Sequence, residues 1–492
     1  MTQVASGGVR RGRQRLAADP SRVVTMLFVP GQEGFDMEEP RTSAVVARIL
    51  ALDNDEVERS LRDVAARFEH RHRDLTGTFR QHADELADRL DPGCDLSEER
   101  RLLLGATFTS EYALEGTALC NPSVVPHPDQ TGVPEGGLRF VMSVRGIGEG
   151  HRSSIEFRTG TVDDRGEVSI EVVPPFATRG TIASVPLDAV VFRSELRRLR
   201  SDGESADYVL DALGERFTVH ELEDRLARLQ SKLATRRKDG SIIPLMRRIA
   251  ERTYEIRFGA DTSLAERVLL PAMAAERNGM EDARFVRFEH QDRTVSYFAT
   301  YTAYDGVDIS QQLLETRDFR VFTASPIVNR ASNKGLALFP RRIGGRFAAL
   351  SRSGHETNTV VFSENLRLWE DALPYQAPTR TWEVLQLGNC GSPIETDAGW
   401  LVLTHGVGPM RTYRIGATLL DLEDPTRVIG QLREPLLSPA PDEQDGYVPN
   451  VVYSCGSLVH AGTLILPYGI GDSAVGVATM SLSVLLAELA AS

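Results

Sequence analysis

The segment Glu281-Asp282-Ala283-Arg284 sets two adjacent carboxylates directly before the apolar run Phe285-Val286-Arg287-Phe288. Taken alone, Asp282 with Arg284 also reads as a surface ion pair worth little. The pointer to chemistry lies in distant segments. Lys334, Arg341, Arg342, Arg352 and His405 stand where later segments deliver cations toward the same place. Several cations around one carboxyl make an anion seat with an acid beside it. That combination suits inverting cleavage of a glycoside. Hydrolysis needs two carboxyl groups, one to protonate the leaving oxygen and one to activate water. Phosphorolysis needs only the acid, because phosphate is already a nucleophile and Arg, Lys and His hold its charge. One acid candidate among several cations fits phosphorolysis better.

Other chemistries lack their residues. His70 and His72 are close in sequence but have no Cys or carboxylate partners at ligand spacing, and neither HExxH nor CxxC occurs, so no metal is expected. There is no P-loop, and Gly146-Ile147-Gly148-Glu149-Gly150 precedes no helical pattern, which argues against a dinucleotide. No GxSxG occurs, and Ser454-Cys455-Gly456 has no base nearby, so it reads as strand. The four cysteines, Cys94, Cys120, Cys390 and Cys455, read as buried thiols. A net charge of -13 argues against nucleic acid or an anionic membrane as partner. No apolar run is long enough to span a bilayer. The basic stretch Arg10 to Arg15 lacks an apolar core and a cleavage site, so it reads as a leader and not a signal peptide, and a cytoplasmic protein is expected.

Elements must bring these residues together. Residues 1–20, small, polar and Arg-rich, are expected to be a disordered leader. Residues 21–104 read as a mostly helical extension. Val23 to Val29 suggests a strand, and Val45, Val46, Ile49, Leu50, Val57, Leu61, Val64, Ala65 and Phe68 follow helical spacing. Pro92-Gly93 breaks that pattern, and Asp95 with Glu98 predicts a capping box for the next helix. From residue 105 to 492, β-rich units recur with a common layout: an apolar strand, a Gly or charged turn, and a second strand ending in a polar residue. Those polar ends are Arg145, Tyr304, Arg352, His405 and Asp472. Five units, each too small to bury its own face, predict a mainly β chain folded as a five-bladed β-propeller, in which these ends converge on the axis; a many-stranded β-sandwich is the alternative. A helical insertion is expected at about 204–240, opened by the capping box Thr218/Glu221, striped by Leu222, Leu226, Leu229 and Leu233, and ended by Gly240. The stripe predicts packing on the body or on another protomer, and the basic Lys232 to Lys238 a solvated helix end.

From about Cys120 to the C-terminus the chain resembles glycoside hydrolase family 130, the β-mannoside phosphorylases and β-mannosidases. The resemblance rests on ALCNPSVV, RNGMEDARFVRF, NKGLALFPRRIGGRFAALSR, GWLVLTHGV with YRIGATLLDL, and PNVVYSCG with YGIGDSAVG, in that order. It implies a five-bladed propeller without cofactor, acting on β-mannoside oligosaccharides with inorganic phosphate as co-substrate and giving α-mannose 1-phosphate. It implies that Asp282 is the proton donor, working through a hydroxyl of the bound mannosyl unit. Lys334, Arg352, His405 and Tyr413 fall on the phosphate site, and Asn121, Arg145, Arg284 and Asp472 on the sugar-binding segments. Two departures stand out. Ala283 replaces the proline of the family's EDPR, and Gln386 stands where phosphorylases carry a further Lys. An uncharged Gln weakens the phosphate site, so a β-mannosidase using water stays in view. For that reaction Glu356 and Asp305 are positional candidates for the base. A non-catalytic glycan-binding propeller is a third reading, against which the retained Asp282 counts. The N-terminal hundred residues and the insertion lie outside the family pattern and are expected to serve as an oligomer contact or a lid.

Overall fold

The computed structural model describes residues 8–29, 40–87, 96–236, 241–329, 334–352 and 354–491. Pro92, Gly93, Cys94, Asp95 and Gly240 lie outside them. The chain is mainly β and divides into two compact units, one comprising residues 19–116 with 174–178 and the other the remainder.

The smaller unit pairs strand Val23–Leu27 antiparallel with Thr109–Ala113 and carries the helices Pro40–Ala51, Asn54–Phe68, Leu75–Glu85 and Glu98–Thr107. It therefore runs past residue 104, because its second strand closes on its first. Val46, Ile49, Val57, Leu103, Leu104 and Phe108 form its core. Gly105 is there for contact: a Cβ at this position would lie 1.8 Å from the carbonyl oxygen of Phe79 on the neighbouring helix. The last helix is capped by Ser97, whose side chain accepts from the Arg100 amide. The Arg100 guanidinium donates to the carbonyls of Ile49, Leu50 and Leu52 at the C-terminal end of the first helix.

The larger unit holds the antiparallel arrays that position the site. The first runs Ala118–Pro126, Leu138–Ile147, Ser153–Val162, Val168–Ile170. A parallel pair, Gly279↔Ser153, joins it to the second, Gly279–Glu289, Val295–Tyr304, Ile309–Thr316, Val321–Pro326, extended by Tyr254–Arg257 and Thr181–Ser184. The third is Ala337–Leu338, Phe347–Ser351, Asn358–Ser363, Leu373–Gln376. The fourth is Gln386–Asn389, Gly399–Val407, Tyr413–Leu420, Val428–Gln431, and the fifth Val452–Tyr453, Thr463–Ile470, Ala474–Ser481, Arg10–Ala17. Leading strands meet from array to array. Ala118–Pro126 packs against Gly279–Glu289 and also against Thr463–Ile470 of the fifth array. Gly279–Glu289 packs against Ala337–Leu338, Phe347–Ser351 against Gln386–Asn389, and Tyr413–Leu420 against Val452–Tyr453. The sequence of contacts returns to its start.

The N-terminal leader is corrected by the structure. Within the stretch expected to be disordered, Arg10–Ala17 is a strand paired antiparallel with Ala474–Ser481. Its composition reads as unfolded because the residues that hold it lie far off in the chain. Arg11 donates to the buried carboxylate of Glu443 and to the carbonyl of Ser438. The Gln14 amide mimics a strand edge, donating to the Ile170 carbonyl and accepting from the Ile170 amide, each at 3.1 Å. The strand thus ties the fifth array to the first.

The helical insertion is longer than the sequence predicts. It comprises Ala189–Arg198, Glu204–Leu210, Val219–Arg236 and Ile242–Ala250. The Thr218/Glu221 box forms, with reciprocal bonds of 3.2 and 2.8 Å. Leu222, Leu226, Leu229 and Leu233 are buried against Phe192, Leu196, Met246 and Ile249 of neighbouring helices. That stripe is consumed within the insertion and offers no face to another protomer. Lys232 lies over the ring of Tyr208 at 3.9 Å.

Removing one partner of a buried charge costs more than removing an exposed one. Arg11→Ala, which strips a guanidinium from the fully buried Glu443 side chain, is expected to cost about 2 kcal/mol. Arg10→Ala, whose partner Glu167 is 65% exposed, is expected to stay within about 0.5 kcal/mol of the parent. Urea unfolding midpoints of the two variants check the contrast.

Candidate active site

Three side chains of the site share a backbone device. Asn121, Asp282 and Asp472 adopt φ of 49°, 55° and 49°, a region that Asn and Asp tolerate better than other non-glycine residues. Asn121 sits where pairing with Leu138–Ile147 slips between Cys120 and Ser123, and Asp282 where pairing with Val295–Tyr304 slips between Glu281 and Arg284. A bulge breaks the strand alternation and re-aims the side chain. Asp472 occupies the turn joining Thr463–Ile470 to Ala474–Ser481.

These devices point side chains from three arrays at one another. The Asn121 amide donates to the Asp282 carboxylate at 2.5 Å, and Arg145 Nη1 approaches the same oxygen at 3.5 Å. Arg145 is itself fixed by Ser153 Oγ at 2.8 Å and by Glu281 at 2.7 Å. Lys334 Nζ donates to the other oxygen of Glu281 at 3.0 Å. Burial alone would push the Asp282 carboxyl up, but Arg145, Arg284, Lys334 and the Asn121 amide outweigh it and hold the carboxyl below its ordinary value. Asp472 goes the other way. Burial and the nearby Asp282 raise its carboxyl to about 6, against the pull of Arg145 and Arg411.

Arg284 carries the cluster toward Tyr453 and His405. Its Nη1 donates to the Asp282 carbonyl at 3.1 Å, its Nε to the Cys390 carbonyl at 2.9 Å and its Nη2 to the Tyr453 hydroxyl at 2.9 Å. The Tyr453 ring lies 4.8 Å from the His405 ring, centroid to centroid, and His405 stacks on Tyr413 at 6.2 Å. His405 Nε2 is 3.3 Å from Arg352 Nη1 and 3.4 Å from Gln386 Nε2. Burial, with Arg352 and Arg284 nearby, drives the His405 ring well below its usual value, so it is a neutral group that offers hydrogen bonds and no charge. Burial raises the thiols of Cys120, Cys390 and Cys455 around this chain, which makes them inert packing.

The structure therefore joins Asn121, Arg145, Asp282, Arg284 and Lys334 in one bonded network, with Asp472 within electrostatic reach. It places Arg352, His405 and Tyr413 in a second group, reached through Tyr453. Other expected contributors lie elsewhere. Arg341 pairs with Glu395 over the Trp400 ring, and Arg342 donates to the Gly345 carbonyl over Phe347, because both precede a tight turn on the outer surface. The Tyr304 hydroxyl donates to its own loop at Gly306. Asp305 accepts from the amides of Val307 and Asp308 in an exposed turn, and Glu356 is exposed. Sequence reasoning passed over two residues. Glu281 bridges Arg145 and Lys334, although it reads as the outer neighbour of Asp282. Tyr453 links the two halves, and only its place before a cysteine-glycine turn marked it. Among the described residues no group of His, Cys, Asp and Glu has the geometry of a metal site.

Residues 248–489 match the family model of glycoside hydrolase family 130, described as beta-1,4-mannooligosaccharide phosphorylase. The 1,2-beta-oligomannan phosphorylase of Thermoanaerobacter sp. is 35% identical over 212 residues, spanning 42% of this chain and 70% of that protein. The beta-1,4-mannooligosaccharide phosphorylase of Ruminococcus albus is 34% identical over 175 residues, spanning 33% of this chain and 52% of that protein. Among solved structures, the beta-1,2-mannobiose phosphorylase of Listeria innocua, in complex with beta-1,2-mannobiose, superposes with a TM-score of 0.46 at 20% identity, covering 77% of this chain and 94% of that one.

Asp472 makes the site's charge a stability term. Its folded value of about 6 lies above the unfolded 3.8. Its contribution is therefore whole below the unfolded value and is lost as pH rises through about 6. Asp472→Asn, which cannot ionise, is expected to gain in thermal midpoint relative to the parent as pH is raised from about 5 to about 8. Melting curves of both proteins across that range check the trend.

Proposed function

The chain belongs to glycoside hydrolase family 130, and from that premise we propose that it cleaves β-mannosidic bonds by inverting phosphorolysis, releasing α-mannose 1-phosphate. In this reading the arrays of the larger unit are the blades of a five-bladed propeller, a reading supported by the return of the contact sequence from the fifth array to the first. Asn121, Arg145 and Asp472 grip the mannosyl ring, with Arg284 fixing the segment beneath it. Asp282 supplies the proton, relayed through a hydroxyl of that ring to the glycosidic oxygen. Phosphate, held by Lys334, Arg352, His405 and Tyr413, attacks the anomeric carbon from the opposite face. One carbon–oxygen bond breaks as another forms, and the proton goes to the leaving sugar.

The observation that carries the proposal is the network linking the backbone of Asp282, whose carboxyl is buried, to a separate cationic group, Asp282 carbonyl to Arg284 to Tyr453 to His405 to Arg352. Arg145, Arg284 and Lys334 outweigh burial and hold the Asp282 carboxyl below its ordinary value. An anion bound across Arg352 and Lys334 offsets those cations and favours the protonated acid. Of the two carboxylates suggested as hydrolytic bases, Glu356 is exposed and Asp305 accepts from the amides of its own turn, which favours phosphate over water as the nucleophile. Water is the second reading, on one observation: Gln386, beside His405 at 3.4 Å, brings no charge to the seat.

Incubation with β-1,2-, β-1,3- and β-1,4-linked mannobiose, with and without phosphate, separates the readings. Mannose 1-phosphate is expected from one linkage, and only with phosphate; free mannose formed equally without phosphate would establish hydrolysis. Asp282→Asn is expected to lower kcat by about a thousandfold, and an unchanged kcat would remove Asp282 from the proton-donor role.

A further inference from the structure

Three surface features are each rooted in a strand or turn that bears a residue of the site. The strands bearing Arg145 and Ser153 pair from Arg145↔Ile155 to Ile147↔Ser153, and their tip is Gly148–Arg152. That tip turns back through the His151 amide on the Gly148 carbonyl and carries His151 outward at φ 57°. The strands bearing His405 and Tyr413 end in a tip of the same design, where Thr412 bonds back to Pro409. It carries Met410 at φ 57° and 87% exposed, beside Arg411 at φ 51°. The third feature is Tyr447. Its amide donates to Ser473 Oγ at 2.6 Å, and the next amide, Val448, donates to the Gly471 carbonyl at 2.9 Å. Tyr447 is thereby fastened to both sides of Asp472.

The first and third features touch. The rings of His151 and Tyr447 stack at 6.0 Å with 29° between their planes, and the Tyr447 hydroxyl lies 3.4 Å from His151 Nδ1. Tyr447 is nevertheless 53% exposed. A half-exposed aromatic ring, held rigid by backbone bonds on both sides, is an unusual use of apolar surface unless something covers it. Non-glycine residues in the left-handed region at neighbouring tips are a strain that persists where a ligand is clamped. The ligand chemistry follows from the surface. A sugar ring has an apolar C–H face suited to an aromatic plane and a hydroxyl edge suited to an imidazole and a guanidinium.

We propose that Tyr447, steadied by His151 and fastened beside Asp472, which Arg411 reaches electrostatically, is the platform for the leaving saccharide unit, the sugar on the far side of the bond that is cut. The proposal rests on the mannoside reading of the same site, and it adds the residues that select what the mannosyl unit is attached to. Asp472 and Arg145 lie at the roots of the platform, so the acceptor ring sits outward of the mannosyl ring. In this arrangement mannose 1-phosphate fills only the mannosyl and phosphate positions and leaves the platform uncovered.

The test is direct binding by calorimetry of β-mannobiose of each linkage, and of mannose 1-phosphate, to the full chain and its variants, with turnover measured in parallel. Tyr447→Ala is expected to weaken mannobiose binding about tenfold and to leave mannose 1-phosphate binding unchanged. Tyr447→Phe, which keeps the ring, is expected to stay within about threefold of the parent. His151→Ala is expected to fall between them. Because Tyr447 is exposed, its variants should melt with the parent. Mannobiose affinity unchanged in Tyr447→Ala, or an equal loss for both ligands, overturns the platform while leaving phosphorolysis standing. Mannobiose binding that needs Tyr447, without any turnover, keeps the platform and removes the phosphorolysis reading. Failure of the parent to bind any β-mannobiose overturns both.

Discussion

Two adjacent carboxylates, Glu281 and Asp282, are largely withdrawn from water, and the arrangement of the larger unit answers that constraint. An unpaired buried charge is costly, and two of the same sign side by side are worse. The chain resolves this with charges that its neighbours in sequence do not supply. Arg145 comes from the first array, 136 residues away from Glu281, and Lys334 from 53 residues beyond it. Arg284 is local, yet it is committed to Cys390 and Tyr453 and fixes the strand's depth. The contact of first array with second is thus electrostatic at its centre and apolar around it, where Phe157, Phe285 and Phe319 pack edge and face.

The same constraint separates the two carboxyls of the site by role. Asp282 sits among cations that hold it below its ordinary value, whereas burial and then the nearby Asp282 raise Asp472 to about 6. Two titratable groups pushed apart in this way are a mark of acid–base sites. Burial, with Arg352 and Arg284 nearby, holds the His405 ring well below its usual value, so the proposed anion seat combines the Arg352 guanidinium with uncharged donors around it. Gln386 fits such a seat, since it extends the hydrogen-bonding set without adding a further cation against Arg352.

The helical parts answer a different demand. The insertion buries its leucines in its own four helices and meets the second array through buried ions: Glu195 accepts from Arg198 and Arg252, and Arg252 also reaches Gln312. The smaller unit has its own core and an internal ion pair, Arg22 with Glu115, at 2.9 Å. Among the described residues, no side chain of the insertion enters the network around Asp282.

By itself the sequence determined the residue types and the local devices. Apolar runs with Gly turns specify strands, Thr218 and Glu221 start their helix, and Asn and Asp at positions 121, 282 and 472 are the types that accept a left-handed backbone. The motif resemblance singled out Asp282 and most of the residues that the structure gathers around it, because those side chains keep their spacing within each segment. Tertiary structure decided everything that depends on partners far along the chain. It made Arg10–Ala17 a strand by offering the edge of Ala474–Ser481 and the carboxylate of Glu443. It turned Arg341 and Arg342 outward while drawing Lys334 to Glu281. It also set the opposite proton affinities of two aspartates whose side chains are chemically identical. The physical reason is that spacing governs geometry only over a turn or a strand, while charge compensation and burial are settled by whatever the folded chain brings within a few ångströms.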